Sequence, residues 1–457
     1  MKRAFAILLA AFAALYVVAQ VTLEGASGAL RWATDLNPAR KVQAQRFTDA
    51  HPGIRVTVEP AGDEKLLAQC HAGTGPDLID LHQEQQMHRM HRAGILMDLT
   101  PHADRMGFGL DDTYPALRDC LSIDGRQYRF PCNVTANCII YNRRVLDDHG
   151  VAVPTNGWTW NDFVRTAKAI RDTPSASGDE HLPLAVPSAP WMLFDLLVGH
   201  GARFYSDDGL TCTLDAPPAV AAMTLYHDLM HVHRVLPTPA EAAAVSGEGG
   251  WGTQGVQWFS TQRTAMIVIG RWYTVQLPHY PDLIGRLGSV RLPRVPGRRS
   301  VAMANTRGPG INVNTDKPHE AMLFLRYLAS EEYNRLIIED GDSLPPNPKY
   351  ARTGADLVNA VAPDPSFHQT FIDAMETARP LDFSPFVDGG LVHRWLRERL
   401  GQVENRIARP GEAMASLAAE VNQRIRRNLA ERPDLRERFR RVTGREWTAD
   451  WWKETDR

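Results

Sequence analysis

Asp35, His82 and Glu84 are the polar residues best placed to do chemistry in this 457-residue chain. Asp35 closes a short run, Ala29-Leu30-Arg31-Trp32-Ala33-Thr34, that reads as a strand. His82 and Glu84 follow a second run, Asp77-Leu78-Ile79-Asp80-Leu81. In open α/β sheets small ligands bind outside the carboxyl ends of the strands. A carboxylate or imidazole at that edge can hydrogen-bond a polar solute. The competing roles are a helix-cap carboxylate for Asp35 and solvated loop residues for His82 and Glu84.

Other chemistries find less support. His82, His88 and His91 cluster, as do His227, His231 and His233, and His227 and His231 lie one helical turn apart, a spacing that can present two metal ligands. No cysteine or carboxylate completes either set at a standard metal-site spacing, and with sixteen histidines such clusters arise by chance. There is no GxSxG elbow, no HExxH and no Walker loop. The glycine-rich stretch Ser246 to Gly255 lacks the GK[ST] that holds phosphate, and reads as a surface loop. A pair of carboxylates for glycoside hydrolysis would leave no local signature.

The elements that must position these groups are legible. Asn37 caps a helix whose first turn takes Pro38, with Val42 and Phe47 on its apolar side. His51-Pro52-Gly53 stops it, and Ile54, Val56 and Val58 alternate as a strand, completing β-α-β. Ile123-Asp124-Gly125-Arg126 reads as a hairpin turn, and 128–141 as extended. Thr159 with Asp162 three residues on begins another helix. Ala265 to Ile269 and Ile311 to Val313 read as strands, and Pro318 to Ala329 as a helix. Val392, Leu396, Leu400, Val403 and Ile407 keep helical spacing. After Pro410-Gly411, Met414, Leu417, Val421 and Ile425 repeat it.

The length exceeds the roughly 250–300 residues at which one hydrophobic core stops growing, so two packed lobes are expected. A net charge of −2 gives no global attraction to nucleic acid or an anionic membrane. Lys2 and Arg3 precede an uncharged run from Ala4 to Leu23. Residues 1–28 therefore read as an export signal, with cleavage after Ala19, or as an uncleaved N-terminal anchor. No cysteine ends the run, which argues against a lipid anchor. The five cysteines form no CxxC pair and read mostly as small buried apolar residues. Cys132 and Cys138, in one extended segment, would stand about 20 Å apart and could not bridge.

Several blocks in order resemble the extracellular solute-binding proteins of bacterial sugar ABC importers, relatives of maltose- and multiple-sugar-binding proteins. One is Gly75-Pro76-Asp77-Leu78-Ile79 with Ala93-Gly94-Ile95-Leu96 and Asp98-Leu99-Thr100. Another is Asp124-Gly125, Tyr128, Pro131 and Ile140-Tyr141-Asn142, followed by Pro154 and Thr159-Trp160-Asn161-Asp162-Phe163. Further on come Phe259, Thr264-Ala265-Met266 and Gly270-Arg271-Trp272, then Leu292-Pro293, Gly310-Ile311-Asn312 and Leu344-Pro345.

The resemblance implies an α/β, two-lobed periplasmic-binding-protein fold of type II. Each lobe would be a mostly parallel sheet flanked by helices, with a hinge of several crossovers. Lobe one is expected at 29–133 plus 308–341, lobe two at 138–303 plus 345–430, and a C-terminal extension at 431–457. The ligand is expected between the lobes, on Trp191 and Trp272 as aromatic plates and Asn133 and Thr135 from the first crossover. Phe383 and Phe386 would come from the segment that closes the pocket. Some of these positions are acidic in the maltose-type pattern; Thr135 and its neighbours are neutral, so maltose itself is not the expected ligand. The implied role is capture of a small polar solute, a mono- or oligosaccharide, by hinge closure and delivery to ABC permease subunits. The implied protein is an exported, periplasmic or extracytoplasmic monomer with no cofactor, no catalysis and no nucleic-acid partner. A non-sugar solute (metal ion, polyamine or phosphorylated polyol) is the alternative, and a glycan-acting enzyme a more remote one.

The tail departs from the pattern. Between Arg394 and Arg445 stand 14 Arg against 7 Asp or Glu, and Trp447, Trp451 and Trp452 follow. This reads as a solvated helix with a tryptophan-rich foot docked on a lobe. Contact with the permease or with lipid headgroups is the alternative.

Overall fold

The computed structural model describes residues 28–453, apart from 36, 61, 187 and 245–253. The expected export segment and all but the end of the glycine-rich run lie outside the described residues. The chain opens with β1 (Leu30–Thr34), α1 (Ala39–Ala50), β2 (Val56–Pro60), β3 (Leu78–Leu81) and α2 (Glu84–Arg92). The hairpin of β4 (Ser122–Ile123) and β5 (Arg126–Gln127) turns at Asp124 and Gly125. Both have positive φ, as a two-residue hairpin turn requires. β6 (Asn133–Ala136) and β7 (Cys138–Asn142) are separated by one residue, Asn137.

Next come α3 (Trp160–Asp172), β8 (Leu182–Ala185), α4 (Ala189–His200), α5 (Pro217–His231), β9 (Thr264–Ile269) and β10 (Leu287–Arg291). β11 (Ala304–Ile311), α6 (Pro318–Ala329) and α7 (Glu331–Asp340) return to the first sheet's side. α8 (Pro365–Thr377), α9 (Gly389–Glu404), α10 (Pro410–Glu431) and α11 (Pro433–Thr443) finish the chain on the second.

One sheet has the order β2-β1-β3-β11-β6 and the other β10-β7-β9-β8. β1 runs parallel to β2 and β3, and β8 to β9; β11 is antiparallel to β3 and β6, and β7 to β9 and β10. The sheets are therefore mixed, where the sequence suggested mostly parallel ones. The antiparallel strands carry the chain between lobes. They do not enter through a crossover helix, the connection that imposes parallel pairing. The crossings fall at Asn137, at Met303 ahead of β11, and after α7, where Leu344 bridges Val134. At the last, Gly341 (φ 73°) closes α7 in the left-handed conformation and Ser343 (φ 65°) repeats it.

α3 begins with the expected reciprocal cap: Asp162 Oδ2 accepts from Thr159 N at 2.8 Å, and Thr159 Oγ1 from Asp162 N at 3.3 Å. Asn37 accepts from Ala39 N at 3.0 Å. Two apolar assignments fail. Val42 is 45% exposed, because α1 turns Arg40, Gln43, Ala44 and Phe47 inward. Ile407 is 75% exposed, because α9 ends at Glu404 and Arg406 takes a positive φ. The rest of that helical pattern is buried in the second lobe's core.

The tail docks on that core. Leu435, Phe439 and Trp451 are buried, with the Phe439 and Trp451 rings 5.3 Å apart. Arg426 lies 3.8 Å from the Trp452 ring centre and Arg436 4.4 Å from that of Trp447. Arg438 also reaches across to Asp124 on the first lobe's hairpin. Among the described residues, no helix is long and apolar enough to cross a membrane.

Candidate ligand cleft

A cavity of about 260 Å³ lies between the two lobes. Its first wall is built from strand ends and crossings: Asp35 after β1, Arg40 on α1, His82 after β3, Arg307 on β11 and Asp342 after α7. Its second wall holds Trp191 and Met192 from the start of α4, Val268 and Ile269 from the end of β9, and Trp272 beyond. Asn133, Thr135 and Asn137 lie between them, on the first crossing.

Charges dominate the first wall. Asp35 Oδ1 accepts from Arg40 Nε at 3.0 Å and from Asn37 N at 3.0 Å, and Oδ2 lies 3.5 Å from Arg307 Nε. Arg307 Nη1 donates to Thr34 Oγ1 at 2.7 Å and to Asp80. Asp80 also accepts the Trp32 indole N–H at 2.8 Å. Arg40 Nη1 stands 2.5 Å from Asp342 Oδ2, whose other oxygen accepts from Asn133 Nδ2 at 2.9 Å. Burial raises the Asp35 pKa, but Arg307 and Arg40 outweigh it and hold the carboxyl well below the usual range. Asp342 is likewise lowered by Arg40 against the opposing effect of burial. Burial lowers the His82 pKa against the opposing pull of Asp80.

Three buried polar atoms of residues lining the cavity have no hydrogen-bond partner among the described residues: Arg307 Nε and Nη2 and the Thr135 hydroxyl. A buried donor or acceptor left unpaired costs about 1–3 kcal/mol. The second wall depends on Gly270. A Cβ there would fall 2.1 Å from Thr135 Oγ1 and 2.8 Å from Trp272 Cδ1. Only glycine lets the chain leave β9 with the hydroxyl and the indole so close. Beside Asn137, Asp195 of α4 accepts from Asn137 Nδ2 and from Met303 N, both at 2.8 Å, and so ties two crossings together. Burial pushes its carboxyl up to about 7.

Asp35, His82, Asn133, Thr135, Trp191 and Trp272 thus come together at one cavity. Three expected residues do not. Glu84 opens α2 and lines a separate cavity of about 380 Å³ with Asp119, Cys120 and Arg203. Burial pushes its carboxyl up to about 7, against the pull of Arg129. The helix begins between His82 and Glu84, and its rotation aims the two side chains at different cavities. Phe383 lies on that second cavity, facing His88 at 5.8 Å. Phe386 is fully buried in the second lobe's core and cannot meet a ligand.

The sequence reading missed Arg40, Asp80, Arg307 and Asp342. One signal was available: Arg40 and Gln43 share the helix face of Ala44 and Phe47, where charge is out of place unless partnered.

Among the described residues, no group of three or more His, Cys, Asp or Glu is arranged to hold a metal ion. The histidine clusters are spread over other contacts: His91 Nε2 lies 3.1 Å from Tyr128 Oη, and His231 Nε2 2.9 Å from Glu404 O. All five cysteines are buried and unpaired.

Two lobes joined by several crossings, with a polar and aromatic cavity between them, define a two-lobed solute-binding protein. A family model described as bacterial extracellular solute-binding protein matches residues 33–335. The chain belongs to this family. An arabinooligosaccharide-binding protein of Halalkalibacterium halodurans is 25% identical over 279 residues, 58% of this chain and 57% of the relative. A diacetylchitobiose binding protein of Streptomyces coelicolor is 24% identical over 188 residues, 40% of this chain and 42% of the relative. The chain thus spans about half the length of the curated relatives it matches. An ABC substrate-binding protein from Listeria monocytogenes, in complex with cycloalternan, superposes with a TM-score of 0.72 at 20% identity, covering 86% of this chain and 98% of that one. The sugar-binding protein MalE from Xanthomonas citri gives 0.71 at 18%, covering 88% and 99%. These two likenesses establish the fold.

Proposed function

We propose that this chain is the substrate-binding component of an ABC importer and captures a mono- or oligosaccharide between its lobes. The observation that carries the reading is the pairing of two indoles, Trp191 and Trp272, with a charged and amide-rich wall around one interlobe cavity. Sugar rings present C–H faces to flat aromatics, and their hydroxyls need fixed donors and acceptors, since a buried hydroxyl without a partner is costly. The relatives named for arabinooligosaccharide and diacetylchitobiose point the same way. Asp35, His82, Asn133, Thr135, Trp191 and Trp272 are the proposed contacts, joined by Arg307.

Binding rather than hydrolysis fits the carboxylates. Asp35, Asp80 and Asp342 are each engaged by arginine, and Asp35 is held far from the raised pKa a glycosidase acid needs. Ligand touching both lobes stabilises the closed form by its differential affinity, and the closed form is what a permease would receive. Export, with residues 1–28 as signal or anchor, belongs to the same reading. Lobe one at 29–133 plus 308–341 and lobe two at 138–303 plus 345–430 are the proposed moving bodies.

A thermal-shift screen of mono- and oligosaccharides tests it, because a ligand that binds only the native state raises its stability. At least one saccharide is expected to raise Tm and to perturb tryptophan fluorescence. No shift with any saccharide, beside a clear one with a metal ion, amino acid or polyamine, would overturn the reading.

A further inference from the structure

The cleft does not end at the indoles. His82, Ser188 and Trp191 also form part of an adjoining, larger hollow of about 690 Å³. Its chemistry is different. Four arginines line it: Arg89 from α2 of the first lobe, Arg394 and Arg397 one turn apart on α9, and Arg424 from α10. None of the four has an ion-pair or side-chain hydrogen-bond partner among the described residues. The one carboxylate on the lining, Asp388, is already engaged. It pairs with Arg92 at 2.6 Å and caps α9 by accepting from Leu391 N at 2.9 Å. His393 adds no charge, since burial and Arg397 hold its pKa down at about 4.

Nearby on the same helical tail other arginines are matched with acids, Arg399 with Glu420 at 2.7 Å and Arg432 with Asp434 at 2.6 Å. Four unmatched guanidiniums around one hollow form a strong local positive field, and planar guanidiniums suit carboxylate, sulfate and phosphate oxygens. One arginine comes from the first lobe and three from the second, so an anion held there would bridge both lobes, as a saccharide would in the inner cavity.

Resting on the carbohydrate reading above, we propose that the ligand is an acidic oligosaccharide. Its inner units would lie against Trp191 and Trp272, and a carboxylated, sulfated or phosphorylated unit would sit among Arg89, Arg394, Arg397 and Arg424. Trp191 is the shared partition, so a chain lying along its indole reaches both hollows.

Calorimetric titration of the full chain with matched pairs tests this: trigalacturonate against its methyl ester, glucuronoxylotriose against xylotriose, and sulfated against unsulfated lactose. The acidic member of at least one pair is expected to bind about tenfold or more tightly than the neutral one at low ionic strength, the gain shrinking as salt screens the field. Arg394→Gln with Arg397→Gln should abolish that gain, with the variant's unfolding transition confirming that it folds. Comparing the carboxylate pairs with the sulfate pair identifies the acidic group. Neutral saccharides that bind as well as or better than every acidic partner would overturn this inference and leave the carbohydrate reading standing. So would a gain that survives the double substitution. If no member of any pair binds and the wider saccharide screen is also silent, the carbohydrate reading itself falls.

Discussion

The two walls of the inner cavity are built on opposite principles. The first is an ionic lattice: Asp35, Arg40, Asp80, Arg307 and Asp342 come from β1, α1, β3, β11 and the segment after α7, and hold one another in place. The second is apolar: Val268, Ile269 and two half-buried indoles on chain that has just left a strand or entered a helix. In the first wall the site and the structure of the lobe are the same set of contacts. In the second, the strand β9 is core and the indoles are added to its end. The first wall should therefore tolerate substitution poorly for reasons of folding, and the second for reasons of binding.

The sharpest way to break this contrast is Asp80→Ala. It strips Arg307, Trp32 and Thr34 of their shared acceptor, and removing one partner of a buried ion pair costs about 3–5 kcal/mol. Denaturant titration should show a loss of that order; an unchanged midpoint would mean that the lattice is not structural.

Asp195 extends the comparison to the hinge. Its carboxyl is pushed up from an ordinary 3.8 to about 7, so the folded state favours its protonated form. That contribution is full below the unfolded pKa and is lost as pH rises through about 7. At one pKa unit per 1.36 kcal/mol, the loss can reach about 4 kcal/mol. Asp195→Asn should flatten the fall in stability between about pH 4 and 7 relative to the parent chain. Parallel pH profiles for the two proteins would refute the assignment.

On the second wall, Trp272→Ala should weaken the ligand found by the saccharide screen by about 1.5–3 kcal/mol, the range for burial of one large apolar side chain, with a smaller change in the unfolding midpoint than Asp80→Ala. Gly270→Ala should weaken it as well, because the added methyl meets both Thr135 and Trp272. Full affinity in Gly270→Ala would show that the indole's position is not critical. The smallest effect is expected between the lobes at the surface. Arg438→Gln removes an exposed pair with Asp124, and should shift stability by under about 1 kcal/mol.

Much of this protein was legible locally. The Thr159 cap, the Asp124-Gly125 turn, the apolar strand of β9 and the buried stripes of α9 and α10 follow from short-range rules: cap geometry, positive φ and helical period. The strand-end rule also picked out Asp35 and His82. Partnership across distance was not legible. Arg40 meets Asp342, 302 positions away, and Arg307 meets Thr34 across 273. The place of Arg40 on the inward face of α1 marks it as a charge that must be paired, but no local pattern names its partner, and none marks Arg307. Glu84 failed for a related reason: two residues beyond His82, the start of a helix sends it to another cavity.

The sequence by itself determined the class of the molecule: two α/β lobes, export-like opening, aromatic residues after strands, and an arginine-rich tail. Those properties depend on composition, period and neighbouring residues. Only the tertiary structure decided which charges are consumed and which remain. Asp35, Asp80 and Asp342 are spent on holding the first wall, whereas Arg89, Arg394, Arg397 and Arg424 are left facing one hollow. A charge's availability depends on what folds against it, and that is a property of distant residues brought together.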